Sequence, residues 1–250
     1  MKIALCFWGL TRSLKYTIES IKKYIFEPLK KAGIEYDIYL HTYYLEGLYC
    51  NEFGKEYDIK LDVNEYKLLN PDYVKIDNQD KVIEKIDFTK YNHKKGRKEV
   101  HYNRQTHNNA ILGLYSMREA TKMIKENNKK YDFIFFLRPD MKYLREFNPR
   151  WFLLTKNIKV LTTRFGKSGG YNDRMFVGNY QQGLVFGQAL DYLEEYIKDN
   201  IFVAEPFIKW LVHKYCFPDR DTMVRFIDYS FQRVRATGQI AHLDRNLTGY

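Results

Sequence analysis

The sequence predicts an α/β fold: a single Rossmann-like domain whose mostly parallel central sheet is flanked by helices. Three observations carry this. Short apolar runs at Lys2–Trp8, at Tyr36–Thr42 and in the first part of Tyr131–Leu144 are continuous rather than alternating, the pattern of strands buried on both faces. Segments of helical period separate them, as crossovers between parallel strands require. The 250 residues, 45% of them hydrophobic, contain no linker, low-complexity tract or internal repeat and suffice for one large core.

Taken in order, Lys2–Trp8 is the first strand and Gly9-Leu-Thr-Arg-Ser13 the turn that ends it. A helix follows from about Ser13 to Lys31, with Leu14, Ile18, Ile21, Ile25 and Leu29 at three- and four-residue spacing. Gly33 stops it, and Pro28 kinks or frays its last turn. Tyr36–Thr42 completes a βαβ unit. From Tyr43 to about Lys98 the pattern loosens: Asp72–Ile76 reads as a strand and Asn92–Lys98 as a basic, mobile loop. A long helix over about Asn103–Glu126, with Ala110, Leu114, Met117, Thr121 and Ile124 inward, feeds the run at Tyr131–Leu144. That strand must finish at Arg138 and Pro139, because proline offers no N–H to a ladder and extends the residue before it. Ile158–Thr163 reads as a strand, Gly166–Gly170 as a glycine-rich loop, and Asn172–Gly178 as a strand leaving a polar site. Asp191–Lys198 and Pro206–Tyr215 read as helices, the second with Phe207, Trp210 and Leu211 toward the core, and Phe231–Arg235 as a closing strand.

The net charge of +10 suits partners that carry phosphate, whether nucleotide diphosphates, nucleic acid or an anionic membrane face. Compositional drift toward Lys, Asn and Tyr produces the same excess. Cys6, Cys50 and Cys216 lack metal-ligand spacing and cannot all pair within one chain, which favours a reducing compartment. The apolar start is too short for a signal peptide, and no segment approaches the ~18 apolar residues of a membrane span. A soluble, cytoplasmic protein is therefore expected.

Open α/β sheets bind ligands at the carboxyl ends of their strands. That edge should gather Gly9, Thr11 and Arg12, the His41-Thr42 strand end, and Arg138 with Asp140. Backbone N–H groups, a helix amino end and Arg12 together suit a nucleotide diphosphate. Asp140 is the candidate ligand for Mn²⁺ or Mg²⁺, since such ions take one or two protein carboxylates when phosphates complete the shell. Arg138 either neutralises phosphate or pairs with Asp140 and closes the turn. Asp173, beside Arg174, and Glu205, at the start of a helix, are the candidate catalytic carboxylates. Glu205 also suits a helix first turn on electrostatic grounds alone. His41 reads equally as a satisfied core histidine. Tyr171 and Trp210 are candidates for stacking on sugars, and core packing explains Trp210 as well. The absence of G-x-G-x-x-G and of G-x-x-x-x-G-K-[ST] argues against dinucleotide and P-loop sites, and histidine spacing argues against zinc.

Four segments together, Ile3–Arg12 ending G-x-x-R, Tyr36–Tyr43 with its H-T pair, Tyr131–Asp140 ending R-P-D, and Asn172–Gly178 opening N-D-R, resemble bacterial and giant-virus glycosyltransferases of GT-A type, including those similar to the WavE lipopolysaccharide-synthesis family. In that group a glutamate opens a late helix, here Glu205, and a V-R pair lies near the end, here Val234-Arg235. The resemblance implies one GT-A-like domain, with a nucleotide-binding part over about residues 1–145 and an acceptor part over about 146–250. It implies transfer of a sugar from a UDP- or GDP-linked donor to a hydroxyl of a glycan or lipid-linked acceptor, with peripheral membrane contact admitted. GT-A enzymes usually carry D-x-D, whereas Arg138 stands at the first aspartate's place. Either Asp140 binds the metal singly or Arg138 takes part of the cation's role.

Two other readings compete. A basic nucleic-acid-binding protein would spread its charge over one surface, whereas mixed charge gathers here at strand ends. A methyltransferase or related nucleotide enzyme would need a glycine-rich first turn and an acidic end to the second strand, where His41 and Thr42 stand instead. On the transferase reading, Asp140→Ala should remove activity and leave the fold intact.

Overall fold

The computed structural model describes residues 1–91, 104–155, 159–166, 168–217 and 224–247, so the basic loop expected at Asn92–Lys98 lies outside the described residues. The chain runs β1 (Lys2–Trp8), α1 (Leu14–Ile21), a π turn at Lys22–Phe26, α2 (Glu27–Lys31), β2 (Glu35–Tyr44), β3 (Tyr49–Asn51), β4 (Glu56–Ile59), β5 (Tyr73–Asn78), α3 (Gln79–Lys85) and α4 (Arg104–Glu126). It continues through β6 (Phe133–Leu137), β7 (Met141–Tyr143), α5 (Trp151–Thr155), β8 (Val160–Thr163), β9 (Phe176–Asn179), α6 (Tyr180–Gly187), α7 (Ala189–Tyr196), α8 (Ala204–Leu211), β10 (Val224–Ile227) and β11 (Phe231–Arg233).

A seven-stranded sheet in the order β10-β8-β9-β6-β1-β2-β5 forms the centre. Every neighbouring pair is parallel except the two that involve β9, which runs against both β6 and β8. Strands from both halves of the sequence thus share one sheet. The fold is α/β, with a mostly parallel sheet between helical layers.

Side-chain alternation explains why the strands read as unbroken apolar runs. Along β1, Ile3, Leu5 and Phe7 join one core with α1 and α2, while Ala4, Cys6 and Trp8 join the other with α4, α6, α7 and α8. β6 divides likewise, Phe133, Phe135 and Leu137 against Ile134 and Phe136. A strand covered on both faces has no place for a solvent-facing polar residue.

Pro28 does not end its helix. Lacking an N–H, it leaves the Tyr24 carbonyl free of the usual partner four residues on, and the Phe147 N–H donates to that carbonyl at 2.8 Å. Gly33, with φ +65°, stops the helix as the sequence predicts. The strand expected at Asp72–Ile76 is β5, and the helix expected from Asn103 is α4. The short elements β3, β4, α3, α5, α6 and β10 lie where the sequence offers too few residues to show a period. Among the described residues no helix is long and apolar enough to cross a membrane.

Candidate active site

Register fixes the site. Trp8 pairs with His41 and Phe7 with Leu137, so the turn after β1 and the Arg138-Pro139-Asp140 segment leave the sheet side by side at its carboxyl edge. Gly9 allows the turn, because its φ of +96° lies in the left-handed region. Its N–H donates to Ser116 Oγ of α4 at 2.8 Å. Thr11 accepts from the Leu14 N–H at 3.0 Å to start α1, and Leu10, Thr11 and Arg12 line a narrow slot with Tyr43, Tyr44 and Asp62.

Asp140 is the centre of this edge and is 2% exposed. Arg138 grips it with two bonds, Nε to Oδ1 at 2.8 Å and Nη2 to Oδ2 at 2.6 Å, and Arg12 Nη2 reaches Oδ2 at 3.1 Å. Although burial opposes its charge, the Arg138 and Arg12 guanidiniums hold its carboxyl far below the usual carboxylate range. Arg138 also lies over the Trp8 ring, 5.0 Å from its centroid, and Arg12 donates to the Tyr49 hydroxyl of β3. Backbone bonds secure the loop: Thr17 Oγ1 donates to the Pro139 carbonyl at 2.5 Å and the Val234 N–H to the Asp140 carbonyl at 2.8 Å.

The residues after β7 and β11 close this side. β11 pairs antiparallel with β7, setting Arg233 opposite Met141. Ser13 Oγ donates to the Val234 carbonyl at 3.0 Å. Arg235 pairs with the buried Glu56 at 3.4 Å, and the Ala236 N–H donates to the same carboxylate at 2.6 Å. Arg174 and Arg233 share Asp244, at 3.5 and 3.9 Å. The guanidiniums of Arg12, Arg138, Arg233 and Arg235 thus act on Asp140, and Arg174 neighbours Arg233. Burial and the neighbouring arginines push the Arg233 guanidinium down to about 10.

Beside this cluster stand the two carboxylates that the sequence singled out. Asn172, 1% exposed, accepts from the Arg174 N–H at 2.8 Å and donates to the Phe165 carbonyl at 3.0 Å, a turn that aims Asp173 and Arg174. Glu205 sits in the first turn of α8. Burial raises its pKa first and the Asp173 charge raises it further, while Arg174 and a hydrogen bond with Ser168 act the other way. Gly170 is needed here, because a Cβ at that position would lie 1.9 Å from the Glu205 carbonyl oxygen, which accepts from the Tyr171 N–H at 3.0 Å. Asp173 lies 3.8 Å from Arg174, which shares Asp244 with Arg233, so the carboxylates adjoin the guanidinium cluster.

Other sequence candidates lie elsewhere. His41 is 0% exposed and turned beneath α4, where Ser116 Oγ is 2.7 Å from Nδ1 and Nε2 donates to Asp77 Oδ2 at 3.1 Å. It is a satisfied core histidine, and burial lowers its pKa. Thr42 is buried with its hydroxyl unpartnered. Trp210 packs among Tyr196, Phe207 and Tyr215. Tyr171 stays near the site, its ring stacked on His213 at 5.6 Å. The residues that sequence reasoning passed over are Tyr49, Glu56, Arg233 and Asp244, which reach the site through Arg12, Arg235, Met141 and Arg174 in distant parts of the chain. A concavity of about 470 Å³ lies at the opposite, amino edge of the sheet, lined by Lys2, Lys30, Glu35 and Asp37, away from this chemistry.

A divalent cation does not fit the residues at Asp140. Both of its oxygens already accept from arginines, and a cation there would face two guanidiniums. The carboxylate expected from the sequence to hold a metal is therefore already engaged by Arg12 and Arg138.

No protein-family model matches the sequence, and no curated protein matches it significantly. The solved structures to which the chain is similar include a glycosyltransferase involved in glycosylation of the major capsid of PBCV-1, with a TM-score of 0.39 at 11% identity, covering 91% of this chain and 80% of that one. The galactosyltransferase LgtC in complex with donor and acceptor sugar analogs gives 0.42 at 10% identity, over 90% and 73%. Mouse xyloside xylosyltransferase 1 in its apo form gives 0.42 at 10%, over 91% and 84%. These structural neighbours are glycosyltransferases.

Proposed function

We propose that the protein transfers a glycosyl group from a UDP- or GDP-linked sugar to a hydroxyl of a glycan or lipid-linked acceptor. The observation that carries this reading is the meeting, at the carboxyl edge of the sheet, of the guanidinium cluster around Asp140 with the Asp173–Glu205 carboxylates. Residues 1–145 contribute Arg12, Arg138 and Asp140, the side that receives the donor's diphosphate. Residues 146–250 contribute Asp173 and Glu205, the side that receives the acceptor.

The chemistry follows from these charges. Glu205 takes the proton of the acceptor hydroxyl as its oxygen bonds to the anomeric carbon. Its raised pKa makes it a stronger base than an exposed glutamate. The bond from the anomeric carbon to the phosphate oxygen breaks, and its electron pair leaves with the nucleoside diphosphate. Arg12 and Arg138 oppose the charge that grows there, in a partly dry setting where such stabilisation is strong. One displacement at the anomeric carbon inverts it.

The test is donor turnover with UDP- and GDP-sugars. Glu205→Gln removes the base at nearly constant shape, so turnover should fall by ~10²–10⁴-fold while nucleotide binding persists. Undiminished turnover by folded Glu205→Gln would sink the assignment. UDP or GDP should also raise the melting temperature by mass action, and failure of both to do so, with tight binding to DNA or RNA, would favour the basic nucleic-acid-binding reading.

A further inference from the structure

We propose that Arg233, acting with Arg12 and Arg138, forms a metal-free cradle for the diphosphate of the donor. This rests on the transfer reading above and assigns the cation's role in it to three side chains. Two of them hold Asp140, and the third arrives from the far end of the chain.

The placement is direct. Arg233 lies opposite Met141 in the β11–β7 pair, and the next residue, Val234, donates its N–H to the Asp140 carbonyl. The Arg233 guanidinium lies within electrostatic reach of both Arg138 and Asp140. Its satisfaction is incomplete: the buried Nε has no hydrogen-bond partner, and its carboxylate, Asp244, stands 3.9 Å away and is shared with Arg174. Arg12 likewise keeps a buried Nε without a partner. Burial first, and then the crowding of Arg174, Arg235 and Arg138, depress Arg233, and an arriving anion relieves that crowding.

Charge bookkeeping points the same way. Asp140 answers Arg12 and Arg138 together, leaving one positive charge over. Arg174 and Arg233 have Asp244 and Asp173, with Glu205 near Arg174, and Arg235 has Glu56, so the unmatched charge is local to Arg12 and Arg138. Arg138 keeps 21% of its side chain exposed, so the excess charge has an open side. Guanidinium forks match phosphate oxygens in pairs, whereas a lysine offers one mobile point charge. Asp140 on this view is no metal ligand but the anchor that keeps two forks aimed.

The experiment is calorimetric titration of UDP and GDP in EDTA, repeated with Mn²⁺, on wild type, Arg233→Gln and Arg233→Lys. At least one nucleotide should bind in EDTA with an affinity that Mn²⁺ leaves within about twofold. Arg233→Gln should weaken it by roughly tenfold or more, the scale of a lost charged hydrogen bond, and Arg233→Lys should restore only part. Should the Gln variant unfold, inorganic pyrophosphate on the wild type in EDTA decides, since a diphosphate cradle must let it displace the nucleotide. Binding that requires Mn²⁺, or that is unchanged in folded Arg233→Gln, or that pyrophosphate cannot displace, overturns the cradle and leaves the transfer reading standing. No binding of either nucleotide under any condition overturns both.

Discussion

Arg138 holds Asp140 through two parallel hydrogen bonds, at 2.8 and 2.6 Å, while the carboxylate is almost wholly buried. Removing one partner from such a pair leaves a buried charge uncompensated, at a cost of about 3–5 kcal/mol. Asp140→Ala strands two guanidiniums, so it should lower stability by that order, read as a shift of the urea midpoint. Asp140→Asn keeps the shape and one acceptor and should lose less. The sequence-based expectation that Asp140→Ala leaves the fold intact is compatible with such a shift, and a wild-type midpoint for the variant would remove the stability cost.

Ser116 is the pin between α4 and the turn after β1. Its hydroxyl oxygen accepts from the Gly9 N–H and meets His41 Nδ1, both within 2.8 Å. Ser116→Ala leaves two buried polar groups unpaired, each worth about 1–3 kcal/mol. We expect a clear fall in melting temperature, and amide exchange at Gly9 should quicken; protection retained there would show that another acceptor takes over.

His41 gives stability a pH dependence of definite sign. Burial lowers its pKa in the folded chain below the ordinary 6.5. The unfolded chain then binds more protons than the folded one between the two values, so stability falls as pH drops through 6.5 toward the lowered value. Asp140, whose folded pKa is depressed, acts at much lower pH: its contribution is present above the ordinary aspartate value and lost as pH falls through the folded one. Unfolding measured from pH ~7.5 to ~5.5 should therefore show a decline that His41→Gln flattens, His107 supplying the remainder because burial lowers it too. An identical slope in wild type and variant would remove His41 from the account.

Gly170→Ala tests the joint between the glycine loop and α8. The added methyl meets the Glu205 carbonyl and carbon at 1.9 and 2.0 Å, backbone atoms that cannot swing aside. Either the loop or the helix start must shift, at a cost on the scale of overpacking, about 1–3 kcal/mol. Donor turnover should fall more than melting temperature suggests, since Glu205 moves with its helix. Normal turnover in this variant would show that the joint is slack.

Much of the fold was legible, for a physical reason that also marks where legibility ends. The runs at Lys2–Trp8 and Phe133–Leu137 announced themselves because two cores claim alternate residues of the same strand. That double burial erased the alternation that would have told which way His41 points. It shares the face of Tyr39 and Tyr43 and bonds into α4, so its place at a strand end misled. Arg12, Arg138 and Asp140 were legible because strand ends meet at one edge of a parallel sheet. Arg233, Tyr49 and Asp244 were not, since the pairings that bring them to the site, with Met141, Arg12 and Arg174, join distant parts of the chain and no local pattern records them.

The segment from Phe231 to Leu247 touches the site through Val234 on Asp140, Ser13 on Val234, and Ala236 on Glu56. The Ser13 bond closes a loop of 221 residues, a contact of the kind that forms late because chain entropy must be spent first. During synthesis the first parallel strands can therefore pair while the carboxyl edge of the sheet is still unwalled. The wall of the candidate site is thus built from contacts of long sequence separation, made only after the strands it closes.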